Sequence, residues 1–264
     1  MLFPLWYVLA VAFAFGSIFG SFANVVIYRV PQGISVVKPP SACPNCGRRL
    51  PWYENFPIFG YLFLRGRCSG CGKAISVRYP LVELLVAVLW VATVYRVGLR
   101  IELVSFLVFI TASVMVCAID LEFKKLPRKI LNPALIGALA FFVLAALFSG
   151  DLSHLGSAAL GAFAYSAPLL AMGLAIPGGI GLGDARYALL IGLVIGWLSL
   201  LHVLVAALSG FMLGGLAGML LLAAGKGRKF AVPFGPFMAV GSLIALYFGD
   251  ILLKVWLGPL APIP

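Results

Sequence analysis

The sequence predicts an all-α polytopic membrane protein with about eight transmembrane helices and a small cytoplasmic zinc-binding loop domain. Three observations predict it. Of the 264 residues, 63% are hydrophobic; only 10% are charged, with a mean hydropathy of +1.11; and long apolar runs alternate with short basic loops. A soluble domain carries roughly 25% charged residues, so the bilayer must be the solvent for most of this chain. A span needs about 20 apolar residues. Such runs fall near 2–27, 81–98, 103–119, 131–148, 155–176, 186–201, 203–224 and 232–256. They are unbroken and lack the alternation of barrel strands, so the spans are helical, with backbone hydrogen bonds satisfied internally. The first run has no basic residue before it and is too long for the apolar region of a secretory signal; it reads as a retained first helix.

The formal charge of +11 raises the question of nucleic acid, but the cations follow the loops. With the first helix running outside to inside, Arg29, Lys38, Arg48, Arg49, Arg65, Arg67, Lys73 and Arg78 fall on one face. Lys124, Lys125, Arg128, Lys129, Arg186, Lys226, Arg228 and Lys229 join them. Only Arg96, Arg100 and Lys254 of the 19 Lys and Arg residues remain for the other face. The excess of cytoplasmic cations orients membrane proteins. Both termini are therefore expected outside and the polar loops in the cytoplasm, with the basicity serving topology and lipid rather than nucleic acid.

The chain divides into a first span at 1–28, a polar insertion at 29–80 and a helical bundle at 81–264. The insertion is rich in Pro and Gly, holds four of the five cysteines, and is too small to fold on a core alone. Its cysteines form two knuckles, Cys43-Pro44-Asn45-Cys46-Gly47 and Cys68-Ser69-Gly70-Cys71-Gly72. Two C-x2-C turns supply four thiolates, the closed shell of structural zinc. Two disulfides are the alternative; a reducing cytoplasm disfavours them. Cys117 stands alone in a helix and reads as a packing residue. Gly-rich stretches in the late helices, such as Gly214-Gly215, suit close helix packing. There is no evident internal repeat.

Only eight residues are acidic, and a carboxylate at membrane depth is a functional candidate. Asp120 falls at the inner end of the third span. Asp184, in Gly181-Leu182-Gly183-Asp184, falls just before the sixth, at the same face. Two converging carboxylates can share one proton, so that one activates water while the other polarises a carbonyl. Gly181 and Gly183 would let a substrate strand approach the backbone. On chemistry alone, interfacial charges or a helix N-cap at Asp184 are equally open readings. Glu54 and Glu122 read as solvated, paired loop charges, and Glu83 as an acid at the start of the second span. His154 and His202 have no partner spacing and receive no role. Glu102, Asp151 and Asp250 fall at the outer face.

Six blocks, in order, resemble the type IV prepilin peptidases, aspartic proteases of the GxGD type. Gly20-Ser21-Phe22-Ala23-Asn24-Val25-Val26-Ile27-Tyr28-Arg29 resembles their opening block. Tyr53-Glu54-Asn55-Phe56-Pro57 lies between the knuckles, and Arg78-Tyr79-Pro80-Leu81-Val82-Glu83 enters the second span. Asp120 with Leu126-Pro127, then Gly181-Leu182-Gly183-Asp184, resemble the two catalytic blocks, and Pro233-Phe234-Gly235-Pro236-Phe237 the last one. The resemblance implies a bacterial inner-membrane enzyme that cleaves the basic leader of prepilins or pseudopilins at the cytoplasmic face, with Asp120 and Asp184 as the catalytic pair. It also implies S-adenosylmethionine-dependent methylation of the new N-terminus, although no methyl-donor fingerprint is visible. The chain departs from the family's pattern at Arg186, where Lys is frequent, and at Arg128, where an acid is frequent. Lys124, Lys125 and Arg186, the cations nearest the pair, are candidates to contact a substrate acid. A transporter or assembly scaffold is the competing class, but it would be expected to show repeat symmetry or charges deep in its helices. A methyltransferase with a merely structural Asp pair is the third.

Overall fold

A computed structural model describes residues 3–175, 181–225 and 233–258. Among these, nine helices follow in order: α1 (Leu5–Arg29), α2 (Phe59–Phe63), α3 (Arg78–Val97), α4 (Leu103–Phe123), α5 (Arg128–Ser149), α6 (Ser153–Ala175), α7 (Leu182–Gly196), α8 (Leu200–Ala223) and α9 (Gly235–Leu257). Seven are long and apolar enough to cross a membrane. The protein is thus an all-helical, multi-pass membrane protein. The sixth expected span, at 186–201, is α7, which has 15 residues. At about 1.5 Å per residue it is about 22 Å long, short of a hydrocarbon core of roughly 30 Å. It is the most enclosed helix, with Tyr187, Leu190, Ile191, Val194 and Ile195 fully buried. The expected inner cations Lys226, Arg228 and Lys229 lie outside the described residues.

The helices form two compact units. The first holds residues 1–99 with the 110–115 turn of α4. There α1 lies along α3 through its small residues: a Cβ on Gly16 would sit 2.8 Å from Ala87 Cα, and one on Gly20 would sit 2.6 Å from Glu83 Cα. Asn24 donates to the Tyr79 carbonyl at 2.9 Å, and Trp90 Nε1 donates to Thr111 Oγ1 at 3.0 Å. Lipid tails are as apolar as leucine, so helix association in a bilayer depends on such close approach and on interhelical hydrogen bonds.

The second unit holds residues 100–109 and 116 onward. Here α7 packs with α5, α6, α8 and α9. Gly161 and Gly192 face each other so tightly that a side chain on either would overlap the other's backbone, and Gly196 meets Ser157 in the same seam. Between α8 and α9, a Cβ on Gly241 would lie 2.4 Å from the Ala206 carbonyl oxygen and 2.6 Å from the Gly210 nitrogen, and one on Gly210 would lie 3.2 Å from the Phe237 carbonyl oxygen. Phe142 stacks on Trp197 with centroids 4.3 Å apart, and Phe106 meets Phe142 edge-on.

Helix ends differ from the hydropathy reading by a few residues, and the differences matter at two acids. Asp120 is inside the last turn of α4, whose cap is Lys124 in the left-handed region at φ 53°. Asp184 is inside the first turn of α7 rather than before it. Apolarity stops where lipid contact stops, whereas backbone hydrogen bonding carries a helix a further turn. Replacing Gly192 with Leu should force α6 from α7. Overpacking of this kind costs about 1–3 kcal/mol, and thermal unfolding in detergent should show a clear drop in Tm.

Candidate active site and metal centre

The carboxylate pair is assembled from helix ends in the second unit. Asp120 is 5% exposed, and its Oδ2 accepts the Gly235 N–H at 3.1 Å, at the N-terminus of α9. Asp184 is half-buried, and its Oδ2 accepts the Gly181 N–H at 3.1 Å, while its own N–H returns to the Gly181 carbonyl at 2.9 Å. Each carboxylate therefore lies over the N-terminal turn of a helix, where unpaired amides and the helix dipole favour negative charge. The two are within electrostatic reach of each other.

Leu126 and two glycines close the arrangement. A Cβ on Gly183 would lie 3.0 Å from Leu126 Cβ; a Cβ on Gly235 would lie 2.7 Å from Asp120 Oδ2 and 3.2 Å from Leu126 Cδ2. Leu126 thus separates the first turn of α7 from that of α9, and Pro127, next in sequence, caps α5. Gly181 is exposed, beside the acid it binds. Of the candidate cations, Lys124 and Lys125 are exposed on the turn after α4, and Arg186 is half-buried on α7. Cys117, one turn before Asp120, has its sulfur 3.9 Å from the Gly235 carbonyl, a packing position.

The second site is the cysteine module. Its two knuckles repeat one backbone pattern. Cys43 N–H donates to the Arg48 carbonyl and Gly47 N–H to the Cys43 carbonyl, both at 2.9 Å. Cys68 pairs with Lys73 at 2.9 Å, and Gly72 with Cys68 at 2.8 Å. The closing glycines, Gly47 and Gly72, both have φ 69°, which a residue with a Cβ reaches only at a cost. The four ligand sulfurs lie within 4.8 Å of one another, with Cys43 and Cys71 Sγ 3.9 Å apart. Four sulfurs bonded to zinc at about 2.3 Å would stand about 3.8 Å apart, so the set fits a tetrahedral metal. The Lys73 backbone amide and the Asn45 amide pull the Cys71 thiol down to about 6. Cys46 moves the other way, to about 11: desolvation and the neighbouring thiols outweigh the Arg48 amide. All five cysteines are free thiols.

Three expectations change. Glu54 is not solvated: its side chain is 5% exposed, and Oε1 accepts from Arg48 at 3.0 Å and Ser69 at 2.7 Å. Arg48 also reaches Ser69, so Glu54 ties one knuckle to the other. Glu83 is not at a helix start. It is five residues into α3, buried, and accepts the Ile58 N–H at 2.7 Å. His202 does have partners: Nδ1 meets Ser199 Oγ at 2.7 Å, and Nε2 meets Asp250 Oδ1 at 3.0 Å. This clamps α8 to α9. Its partner 48 residues away could not be found from spacing. Tyr165 is a further residue without a sequence signal. It is 4% exposed, its hydroxyl has no hydrogen-bond partner, and it lies within electrostatic reach of Asp184.

Two known families match the chain. The Bacterial Peptidase A24 N-terminal domain matches residues 14–97, and the Type IV leader peptidase family matches residues 107–219. The chain belongs to the type IV leader peptidase family. It is 34% identical over 251 residues to the prepilin leader peptidase/N-methyltransferase of Bacillus subtilis (strain 168), covering 94% of this chain and 98% of that protein. The protein of the same name from Myxococcus xanthus (strain DK1622) is 40% identical over 217 residues, 80% of this chain and 62% of its own. That from Aeromonas hydrophila is 33% identical over 282 residues, 96% and 94%. No solved structure matches the chain.

The cysteine module of this chain should carry one metal ion. Elemental analysis of reduced, natively purified protein should return that ratio, and Cys43→Ser or Cys71→Ser should abolish it. Retention of metal by both variants would remove the four-thiolate site.

Proposed function

We propose that this chain is an intramembrane aspartic endopeptidase that cleaves the leader of type IV prepilins or pseudopilins and then methylates the new N-terminus. It acts in the bacterial inner membrane, with α7 counted as an eighth crossing enclosed by the other helices, both termini outside and the active site at the cytoplasmic face. The asymmetry of the loop cations supports that orientation. Residues 29–80 serve as a zinc-stapled cytoplasmic module between the first span (1–28) and the peptidase bundle (81–264). Four thiolates fill a tetrahedral shell, so the zinc is structural.

The observation that carries the reading is the convergence of Asp120 and Asp184 on two helix N-termini, each held through one oxygen by a backbone amide. The second oxygen of each is left for water and substrate. In this reading the pair shares one proton, because like charges at short range do not both ionise. The ionised member takes a proton from water as the water attacks the scissile carbonyl. The protonated member donates to the developing oxyanion. Collapse of the tetrahedral intermediate breaks the C–N bond, and the leaving amine takes a proton from the pair. Because the amides fix both acids before substrate arrives, little reorganisation is needed at the reacting carbon.

Substrate is held by its hydrophobic segment in the bilayer, because a basic leader gains nothing from a basic enzyme. Gly181 and Gly183 border the strand to be cut. Lys124, Lys125 or Arg186 pairs with the acid near the start of the mature pilin and sets the register. The cosubstrate of the second reaction is S-adenosylmethionine, which supplies a methyl group on a cationic sulfur. The amine exposed by cleavage is the acceptor.

Incubating the detergent-solubilised protein with a prepilin and weighing the product reads both steps, as loss of the leader and gain of a methyl. Asp120→Asn and Asp184→Asn should each abolish cleavage, a loss of at least about 10⁴-fold, with Tm unchanged; near-wild-type cleavage by either removes that residue from the mechanism. Gly235→Ala places a methyl against Asp120 and should slow cleavage by about 10–100-fold, whereas Gly215→Ala, with nothing within 4 Å, should not. Arg186→Glu or Lys125→Glu should slow cleavage of the Glu-bearing substrate, and a Glu→Lys substrate should recover part of the loss. Equal rates for both substrates on every variant would leave these cations as lipid anchors only.

A further inference from the structure

The 29–80 insertion leaves α1 and returns into α3 at one end of that helix pair, and one hydrogen bond fixes its height. Ile58, which caps α2, donates its N–H to Glu83 at 2.7 Å. Glu83 is five residues into α3, or about 7 Å along the helix axis. It packs against Gly20, more than two turns before the end of α1. α3 has 20 residues, and a hydrocarbon core of roughly 30 Å takes up a helix of about that length. The start of α2 therefore lies beside helix turns that are already entering the bilayer, not in the water beyond them.

The surface carried at that height is aromatic. Trp52 and Tyr53 meet edge-on, with centroids 5.9 Å apart, and Phe56, Phe59 and Phe63 follow one another at 6.0 and 6.4 Å. Trp52, Tyr53, Phe56 and Phe63 line one cavity of about 370 Å³, so the two groups form a single patch. Trp52 and Phe63 are 81% and 82% exposed. An apolar patch of this kind marks an interaction surface, and three features say what covers it. Its height excludes a partner that stays in water. Trp and Tyr, apolar rings with a polar tip, settle at the level of lipid headgroups. The charge around it is positive: Arg65 and Arg67, just beyond α2, are exposed, as are Arg48 and Arg49 before the patch. Against eight cations in residues 29–80 there is one acid, Glu54, and it is taken up by Arg48 and Ser69.

We propose that α2 and the aromatic residues around it lie in the headgroup layer of the bilayer, docked on anionic phospholipid. Trp52 and Phe63 enter the boundary between headgroups and acyl chains, hydrocarbon fills the cavity, and Arg65 and Arg67 meet lipid phosphates. Interfacial segments bind in this way, by buried apolar area together with attraction to anionic lipid. The four-thiolate module is thereby tied to the membrane through its middle as well as through α1 and α3.

The test is fluorescence quenching of the full-length, metal-loaded protein in lipid vesicles. The chain has five Trp residues, so the emission of wild type minus that of Trp52→Phe reads Trp52. In vesicles of phosphatidylglycerol mixed with phosphatidylcholine, that emission should be quenched at least about twofold by lipids brominated at the headgroup end of the acyl chain, and hardly at all by acrylamide in the water. Phe63→Asp should reverse the two. Arg65→Glu combined with Arg67→Glu should do so in part, as should vesicles of phosphatidylcholine alone. Metal content, measured on every sample, reports whether the module is folded. Both leaflets carry the same lipid, so the result does not depend on the orientation proposed above. Quenching by acrylamide and not by brominated lipid would put the patch in water and overturn the proposal. Protection from both quenchers would place protein over the patch, another part of this chain or a second copy, and would overturn it equally. Lipid quenching indifferent to phosphatidylglycerol and to the Arg variants would overturn docking on anionic lipid.

Discussion

Backbone-to-backbone approach at glycine governs the membrane part of this protein. Within a bilayer there is no hydrophobic drive to join helices, so van der Waals contact must do it. Gly16 and Gly20 bring α1 onto α3; Gly161, Gly192 and Gly196 bring α6 onto α7; Gly210 and Gly241 bring α8 onto α9. The same device shapes the acid pair. Gly183 leaves room for Leu126, and Gly235 leaves room for the Asp120 carboxylate. A single methyl at either point would move an acid or the helix end that binds it. The seams therefore hold the fold and the site together, and α7, too short to span alone, owes its place to the helices around it.

The polar chemistry is confined to places where hydrocarbon does not reach. Both proposed catalytic carboxylates sit at helix N-termini, where the backbone itself has amides to offer. Isolated charges in mid-span would have needed partners from other helices. His202, in the first turn of α8, shows what a partnership across helices takes: Ser199 from its own helix end and Asp250 from α9, with Gly249 leaving space for the ring. Outside the spans the constraint is reversed. A stretch of about 50 residues cannot build a core, and four thiolates with one shared acid, Glu54, organise it instead. Glu54 and Glu83 both entered as loop or terminal charges and both turned out buried. Each accepts from a group distant in sequence, Ser69 and the Ile58 amide, contacts that hydropathy and local spacing do not encode.

Asp120 and Asp184 stood out in the sequence because acids are rare here and membrane depth makes them expensive. The cysteines stood out because C-x2-C turns have one geometry. Gly235 entered only as part of a recognised block, with no sign of its contact to Asp120, and Tyr165 and His202 did not stand out, because a lone tyrosine and a lone histidine carry no local pattern.

The amino-acid sequence by itself determined the solvent, the number of long helices within one, the thiolate set, the two candidate acids and the family. These follow from composition, spacing and local motifs, which act over a few residues. Only the tertiary structure decided that α7 is an enclosed helix shorter than a bilayer. It alone placed the Gly235 amide on Asp120 from 115 residues away and buried Glu54 between the two knuckles, on Arg48 and Ser69. Those outcomes depend on which helix ends and side chains meet in space, and close packing between distant segments settles that.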